Sequence, residues 1–221
     1  NNINGTVNIL ESMVQFKVKK LILASTSSVY SNSSMPFLED LSINQTISPY
    51  SSSKKSAELF AYTYHYLYGI DISVLRYFTV YGPSGRPDMS ILKFINLIDQ
   101  EKPIEVYGNG EQSRDFTYID DIVSGSFLAK KLLGYEILNL GNSHKPYSIN
   151  YMIKIIENFI GKKAIIEYNN NFKGDVKETW ACIDKSKKIL KWEPKYSFTD
   201  GLALTHKWYL NNQQIWDKDD V

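Results

Sequence analysis

Apolar side chains near the start of the chain recur at helical spacing. Ile3, Val7, Leu10 and Val14 share one side of a 3.6-residue repeat, so residues 3–16 are expected to form an amphipathic helix. Neither a loop nor a capping residue precedes it, which reads as a beginning cut off. Residues 21–24 form a short apolar run ahead of the polar stretch 25–28, the pattern of a buried strand that ends at a loop. Residues 51–68 return to helical spacing, with Ala57, Ala61, Tyr64 and Tyr68 on one face and Gly69 as the stop. Residues 72–78 read as a second buried strand, broken by Gly82, Pro83, Gly85 and Pro87.

Ile91, Phe94, Ile95 and Ile98 mark the next amphipathic helix. Residues 104–107 and 112–117 flank a Gly108-Asn109-Gly110 turn, as hairpin strands do. Residues 120–133 are expected to be helical and 137–140 to form a third core strand. Ser148 is placed to cap a helix of Met152, Ile155, Ile156 and Phe159 that stops at Gly161. A strand at 165–168, a polar loop at 169–175 and a last helix capped by Thr199 and carrying Leu202, Leu204 and Trp208 complete the chain.

Strands that alternate with helices of ten or more residues pair in parallel through helical crossovers, which predicts a doubly wound α/β sheet. The last third is less regular and reads as a small α+β lobe. The division expected is a sheet domain over 1–145, interleaved with lobe segments near 83–118, and a lobe over 146–221. Ligands of such folds bind beyond the carboxyl ends of the strands. The polar segments 25–31, 79–88 and 141–144 would share that edge.

Composition narrows the function classes. Hydrophobic residues make up 43% of the 221 and aromatics 14%, enough for a core and too many for a disordered chain. The formal charge of +1 gives no field that would draw the whole surface to nucleic acid or to a membrane. Cys182 is the single cysteine, so no internal disulfide can form and a reducing, cytoplasmic setting is expected. His65, His144 and His206 lack metal-ligand spacing, and no metal is expected. Of the 25 basic residues only Arg76, Arg86 and Arg114 are arginine. Each is either a planar fork for a carboxylate or phosphate, which lysine cannot supply, or half of a structural ion pair.

Tyr50 and Lys54 lie four residues apart at a helix start, one turn apart on one face. Thr26 ends a buried strand 24 residues earlier and would meet the same helix start. A tyrosine is a base only as phenolate, which a neighbouring ammonium favours, and a threonine hydroxyl can hydrogen bond the same substrate hydroxyl. In this arrangement the chain resembles the extended short-chain dehydrogenase/reductase family, the NAD-dependent sugar-nucleotide epimerases and dehydratases.

Further segments carry the same resemblance. They are Asn1-Asn2-Ile3-Asn4-Gly5-Thr6, Ser25-Thr26-Ser27-Ser28-Val29-Tyr30, Ser48-Pro49-Tyr50-Ser51-Ser52-Ser53-Lys54, Leu75-Arg76-Tyr77-Phe78-Thr79-Val80-Tyr81-Gly82-Pro83 and Arg114-Asp115-Phe116-Thr117-Tyr118-Ile119-Asp120-Asp121. Gly85-Arg86-Pro87-Asp88-Met89 and Lys173-Gly174-Asp175-Val176 point within the family to the UDP-glucuronate 4-epimerases. The resemblance implies a Rossmann-like doubly wound parallel sheet with a substrate lobe, an isomerase that uses NAD, a UDP-sugar substrate, a homodimer and a place in polysaccharide synthesis. Tyr50 would take the proton from the sugar O4 while hydride leaves C4 for NAD+, with Lys54 on the nicotinamide ribose and Thr26 assisting. The 4-keto sugar would then turn over and receive the hydride on its other face. Asn1 matches a cofactor contact, Phe78 a residue beside the nicotinamide, Arg114 a diphosphate grip and Asp175 a contact to the uridine ribose.

Ser27 and Ser28 stand where sugar dehydratases carry Asp-Glu, and serine cannot do a carboxyl group's proton transfers at neutral pH, which argues against dehydration. Thr79 and Arg86 offer a hydroxyl and a guanidinium, which suit a sugar carboxylate better than a hydroxymethyl group. Another UDP-hexose 4-epimerase, a UDP-glucuronate decarboxylase, and a non-catalytic fragment that binds a sugar nucleotide or dimerises are the alternatives. No G-x-x-G-x-x-G turn is present. By the resemblance, about a hundred residues of the nucleotide-binding half would precede Asn1. The fragment alone is expected to bind NAD poorly, with the pyrophosphate's helix N-terminus missing and a sheet edge exposed.

Overall fold

The computed structural model describes residues 1–31, 33–144, 146–169 and 177–215. In chain order the elements are α1 (Asn4–Gln15), β1 (Lys20–Thr26), a 3₁₀ turn (Ser27–Tyr30), α2 (Pro49–Tyr68), β2 (Asp71–Tyr77) and β3 (Thr79–Tyr81). They continue with α3 (Ser90–Asp99), β4 (Ile104–Tyr107), β5 (Ser113–Arg114), β6 (Phe116–Tyr118), α4 (Ile119–Leu128) and β7 (Tyr135–Leu140). The last are β8 (Tyr147–Ser148), α5 (Ile149–Ile160), β9 (Ile166–Asn169), α6 (Asp184–Leu190), α7 (Phe198–Asn211) and a short 3₁₀ turn (Gln213–Ile215).

β1, β2 and β7 form a parallel sheet in that order, as the alternation of strands and helices predicts. Six of the seven β2 positions are buried, because helices cover both faces of the central strand. α1 and α2 close one face over Leu10, Met13, Ala61, Ile72 and Val74. Leu75, Ile122, Leu138, Leu140, Leu190 and Trp192 form the core on the other face. The third cluster belongs to the lobe, where α3, α5 and α7 pack around Ile95, Ile98, Met152, Ile156, Phe198 and Leu202. Among the described residues no helix is long and apolar enough to cross a membrane.

The register decides where chemistry can occur. Thr26 lies opposite Tyr77, and Tyr77 opposite Leu140, so the three strands end in one row and the segments that follow them share one edge. One residue earlier, Ser25, Arg76 and Asn139 form a buried polar row. Arg76 grips Glu58 of α2 through Nε–Oε1 at 2.9 Å and Nη2–Oε2 at 2.7 Å, and the Ser25 hydroxyl donates to the same carboxylate at 2.6 Å. The guanidinium lies 4.7 Å from the centroid of the Tyr30 ring, whose hydroxyl donates to Asn139 Oδ1 at 2.7 Å. Of the two roles open to it from sequence, Arg76 therefore takes the structural ion pair.

Three local expectations are corrected. Residues 104–107 and 112–117 do not form a hairpin. β4 pairs in parallel with β9, β5 antiparallel with β8, and β6 in parallel with β3. The run is split at Asp115, whose buried carboxylate draws three backbone donors from other segments and the Thr117 hydroxyl from its own, so the residues before and after it pair with different strands. Ser197, not Thr199, caps the last helix by accepting from the Asp200 amide at 3.1 Å. The helix expected over 120–133 ends at Leu128. Ser148 and Gly161 do bound α5, and the left-handed Gly69 stops α2.

Burial pushes the Glu58 carboxyl up, and the hydrogen bonds and charge of Arg76 more than reverse this, so it titrates below its ordinary value. A carboxylate depressed in the folded state stabilises the fold at neutral pH and loses that contribution as pH falls through its folded value. Glu58→Gln leaves Arg76 buried without its counter-charge and should cost about 3–5 kcal/mol in urea unfolding at pH 7. The gap from wild type should shrink toward pH 3. A cost below about 0.5 kcal/mol, the size of an ordinary surface change, would contradict this role for the pair.

Candidate active site

The start of α2 is built to place a tyrosine in its first turn. The Ser48 hydroxyl accepts from the Ser51 amide at 3.1 Å, Ser51 Oγ accepts from the Ser48 amide at 3.2 Å, and Pro49 stands at the first helical position. Tyr50 follows, 51% exposed at the strand-end edge. One turn on, Lys54 Nζ donates to the carbonyl of Ala24 at 3.1 Å, two residues before the end of β1. Thr26 closes that strand, and its Oγ1 accepts from the Ser28 amide and donates to the Ser28 hydroxyl, both at 3.2 Å. Asn2 Nδ2 donates to Ser53 Oγ at 3.0 Å, whereas Asn1 before it is exposed, its carbonyl accepting from the Gly5 amide at 2.9 Å.

Thr79 begins β3 on the same edge, its amide donating to the Asp115 carbonyl at 3.1 Å. It lines a cleft of about 320 Å³ together with Met89, Ser90, Lys93, Tyr107, Gln112 and Arg114. A smaller adjoining pocket holds Thr79, Gly82, Gly85, Arg86 and Met89. Arg114 stands on β5, and its Nη1 donates to the Ser113 carbonyl at 2.8 Å. Arg86 is engaged with Asp88 through both fork positions, Nε–Oδ1 at 3.0 Å and Nη2 to Oδ2. That pairing raises the guanidinium's pKa.

Phe78 stands between β2 and β3, its side chain packed against the aromatic rings of Tyr30 and Phe37. The ring is 4% exposed, with centroids 6.5 Å from Tyr30 and 6.3 Å from Phe37. A Cβ at Gly141 would come within 3.1 Å of it, so the glycine closes the ring into the core. Asp175 lies outside the described residues.

Sequence reasoning missed Asp115 as an organising residue. Its carboxylate, 1% exposed, accepts from the amides of Asn142 at 2.6 Å, Ala181 at 3.0 Å and Ser143 at 3.1 Å, and from the Thr117 hydroxyl at 3.2 Å. Burial pushes the Asp115 carboxyl up, and these four donors pull against it. The residue thus ties the segment after β7, the 181 strand segment and the start of β3 to its neighbour Arg114. Its signals in the sequence are that position beside a rare arginine and its place in the segment 114–121 that carries the resemblance. Lys93, Tyr107 and Gln112 also went unmarked as site residues, since single polar residues on loops and helix faces carry no pattern.

The edge therefore holds an exposed phenol with an ammonium one turn behind it, a strand-end threonine, and a cleft bearing Arg114 and Lys93. Such a set can move a proton to and from a bound hydroxyl and hold an anionic ligand. Asp115→Asn turns an NH2 group toward amide donors and should lower unfolding stability by about 1–3 kcal/mol, measured by urea denaturation. An unchanged midpoint would remove Asp115 from this organising role.

Residues 1–141 match the NAD dependent epimerase/dehydratase family. The UDP-glucuronate 4-epimerase of Thermodesulfobacterium geofontis is 58% identical over 214 residues, covering 97% of this chain and 66% of that protein. The crystal structure of UDP-glucuronic acid 4-epimerase from Bacillus cereus in complex with UDP-glucuronic acid and NAD superposes with a TM-score of 0.90 at 39% identity, covering 96% of this chain and 68% of that one. UDP-glucose 4-epimerase of Thermotoga maritima, solved with UDP-glucose, gives a TM-score of 0.89 at 30% identity over 96% of this chain and 70% of that one. The chain spans 66% and 64% of the length of the first two curated relatives, just under two thirds. The family match over residues 1–141 agrees with the parallel sheet and with the tyrosine–lysine pair at its edge, and the chain belongs to the NAD dependent epimerase/dehydratase family.

Proposed function

We propose that the protein inverts C4 of a UDP-sugar, interconverting UDP-glucuronate and UDP-galacturonate through a 4-keto sugar, with NAD as cofactor. The observation that carries this reading is the bond from Lys54 Nζ to the Ala24 carbonyl, which holds the Tyr50 helix start against the strand that ends in Thr26. The donor set suits NAD at its nicotinamide end, with the Lys54 ammonium for ribose hydroxyls and Asn1 and Phe78 as further cofactor contacts. When bound, NAD supplies the acceptor and the later donor of the C4 hydride.

Tyr50 takes the proton of the sugar O4 and returns it after the ring has turned. The Lys54 ammonium offsets the negative charge that this transfer places on the phenol. Thr26 hydrogen bonds the same oxygen and fixes its direction. Arg114 grips the diphosphate from the cleft, where a planar fork matches two phosphate oxygens, and Asp175 meets the uridine ribose. Thr79 and Arg86 hold the sugar carboxylate. A 4-keto uronic acid is a β-keto acid and tends to lose CO2, so a carboxylate held in a fixed orientation resists decarboxylation.

A second reading, C4 inversion of a neutral UDP-hexose, is favoured by one observation: the Arg86 fork already holds Asp88. We also assign the outer face of α1 and α2, where Ile9, Phe16, Leu59, Tyr66 and Leu67 are exposed, to a second copy of the protein. The single cysteine and a nucleotide-sugar substrate suit a cytoplasmic enzyme.

Tyr50→Phe in the native gene product that contains this chain should lower kcat with UDP-glucuronate about 10²–10⁴-fold, with substrate affinity retained. Wild-type turnover in that variant would contradict the assignment. With Arg86→Lys, uronate turnover should fall and a UDP-pentose should appear, read by product chromatography. An unchanged product profile counts against the carboxylate role.

A further inference from the structure

The loop that carries Arg86 also carries a carboxylate that competes for it. Asp88, two residues on, meets Nε and Nη2 of the guanidinium with its two oxygens. This occupies one of the two edges through which an arginine binds a carboxylate in bidentate fashion. The two side chains are 75% and 61% exposed, so solvent screens the pair and it can open readily. Asp88 lines the larger cleft with Thr79 and Arg114, whereas Arg86 lines the adjoining pocket with Thr79. The ion pair therefore stands where the two cavities meet, at the threonine assigned to the sugar carboxylate.

A ligand without a carboxylate can enter beside Thr79 and leave this pair closed. A ligand with one must either displace Asp88 or bind next to its negative charge, and both oppose it. Resting on the reading that Arg86 and Thr79 receive the sugar carboxylate, we propose that Asp88 is the resident occupant of the Arg86 fork, displaced by the carboxylate of a bound uronate, and that it sets the preference between uronate and neutral UDP-hexoses. Asp88 is then a positioning residue acting through Arg86. Between turnovers it keeps the fork aligned, and its return to the fork assists release of the uronate product.

The test is calorimetric titration of the native gene product that contains this chain with UDP, UDP-glucose and UDP-glucuronate, for wild type, Asp88→Asn and Asp88→Glu. Asp88→Asn should bind UDP-glucuronate about two- to fivefold more tightly, the range set by an exposed ion pair, with UDP and UDP-glucose unchanged. Asp88→Glu should return the ratio of the two sugar nucleotides toward wild type, which a loss of loop structure would not allow. UDP-glucuronate binding that is unchanged or weaker in Asp88→Asn overturns the proposal, as does an equal change for all three ligands. The reading beneath it fails separately: if Arg86→Ala binds UDP-glucuronate as tightly as wild type, Arg86 is no carboxylate ligand and both statements fall.

Discussion

The buried pair of Glu58 and Arg76 ties α2, the helix that carries Tyr50 and Lys54, to the sheet at the point where the strands end. Arg76 belongs to the central strand, Ser25 and Asn139 to its two neighbours, and the three are register partners across the sheet. Glu58 reaches down from α2 to two members of this row, Arg76 and Ser25. An ion pair with each partner 1% exposed is costly to desolvate, so its geometry must be met in full. That requirement fixes the rotation and height of α2, and Lys54, one turn before Glu58, is thereby held at the Ala24 carbonyl. The polar row lies one residue behind Thr26, so the constraint that orders the helix also orders the edge.

Asp115 does the same for the lobe side of the site. Its carboxylate and backbone join the segment after β7, residue 181 and the start of β3. Thr79 and Arg114 are thus positioned by one buried group. The α2 side and the lobe side depend on different carboxylates, one paired with a guanidinium and the other held by three backbone amides and a hydroxyl. Both are first-rank constraints because neither tolerates loss of its donors in a buried setting.

The parallel sheet and most of its helices were legible from periodicity, because each strand centres on a short apolar stretch and the longer helices carry an apolar face, whereas α6 was not foreseen. Tyr50, Lys54 and Thr26 were legible because a short motif lay in the strand and helix context it requires. The pairing of residues 104–118 was not legible. Short strands with ambiguous patterning take their partners from tertiary contacts, here from β9, β8 and β3, and a buried Asp115 inside the run cannot be foreseen from alternation. The roles of the three arginines were open in sequence for the same reason, since burial of Arg76, exposure of Arg86 and the cleft at Arg114 are properties of the assembled fold.

The proposed function requires one edge to assemble a phenol, an ammonium and a threonine around a single sugar hydroxyl. It is tested most directly by a crystal structure of the native gene product containing this chain, with UDP-glucuronate and NAD bound. The account expects Tyr50 Oη and Thr26 Oγ1 each within about 3.2 Å of the sugar O4, the limit of a good hydrogen bond. A sugar whose O4 lies beyond the reach of both groups, with the ligand otherwise ordered in the cleft, would contradict it.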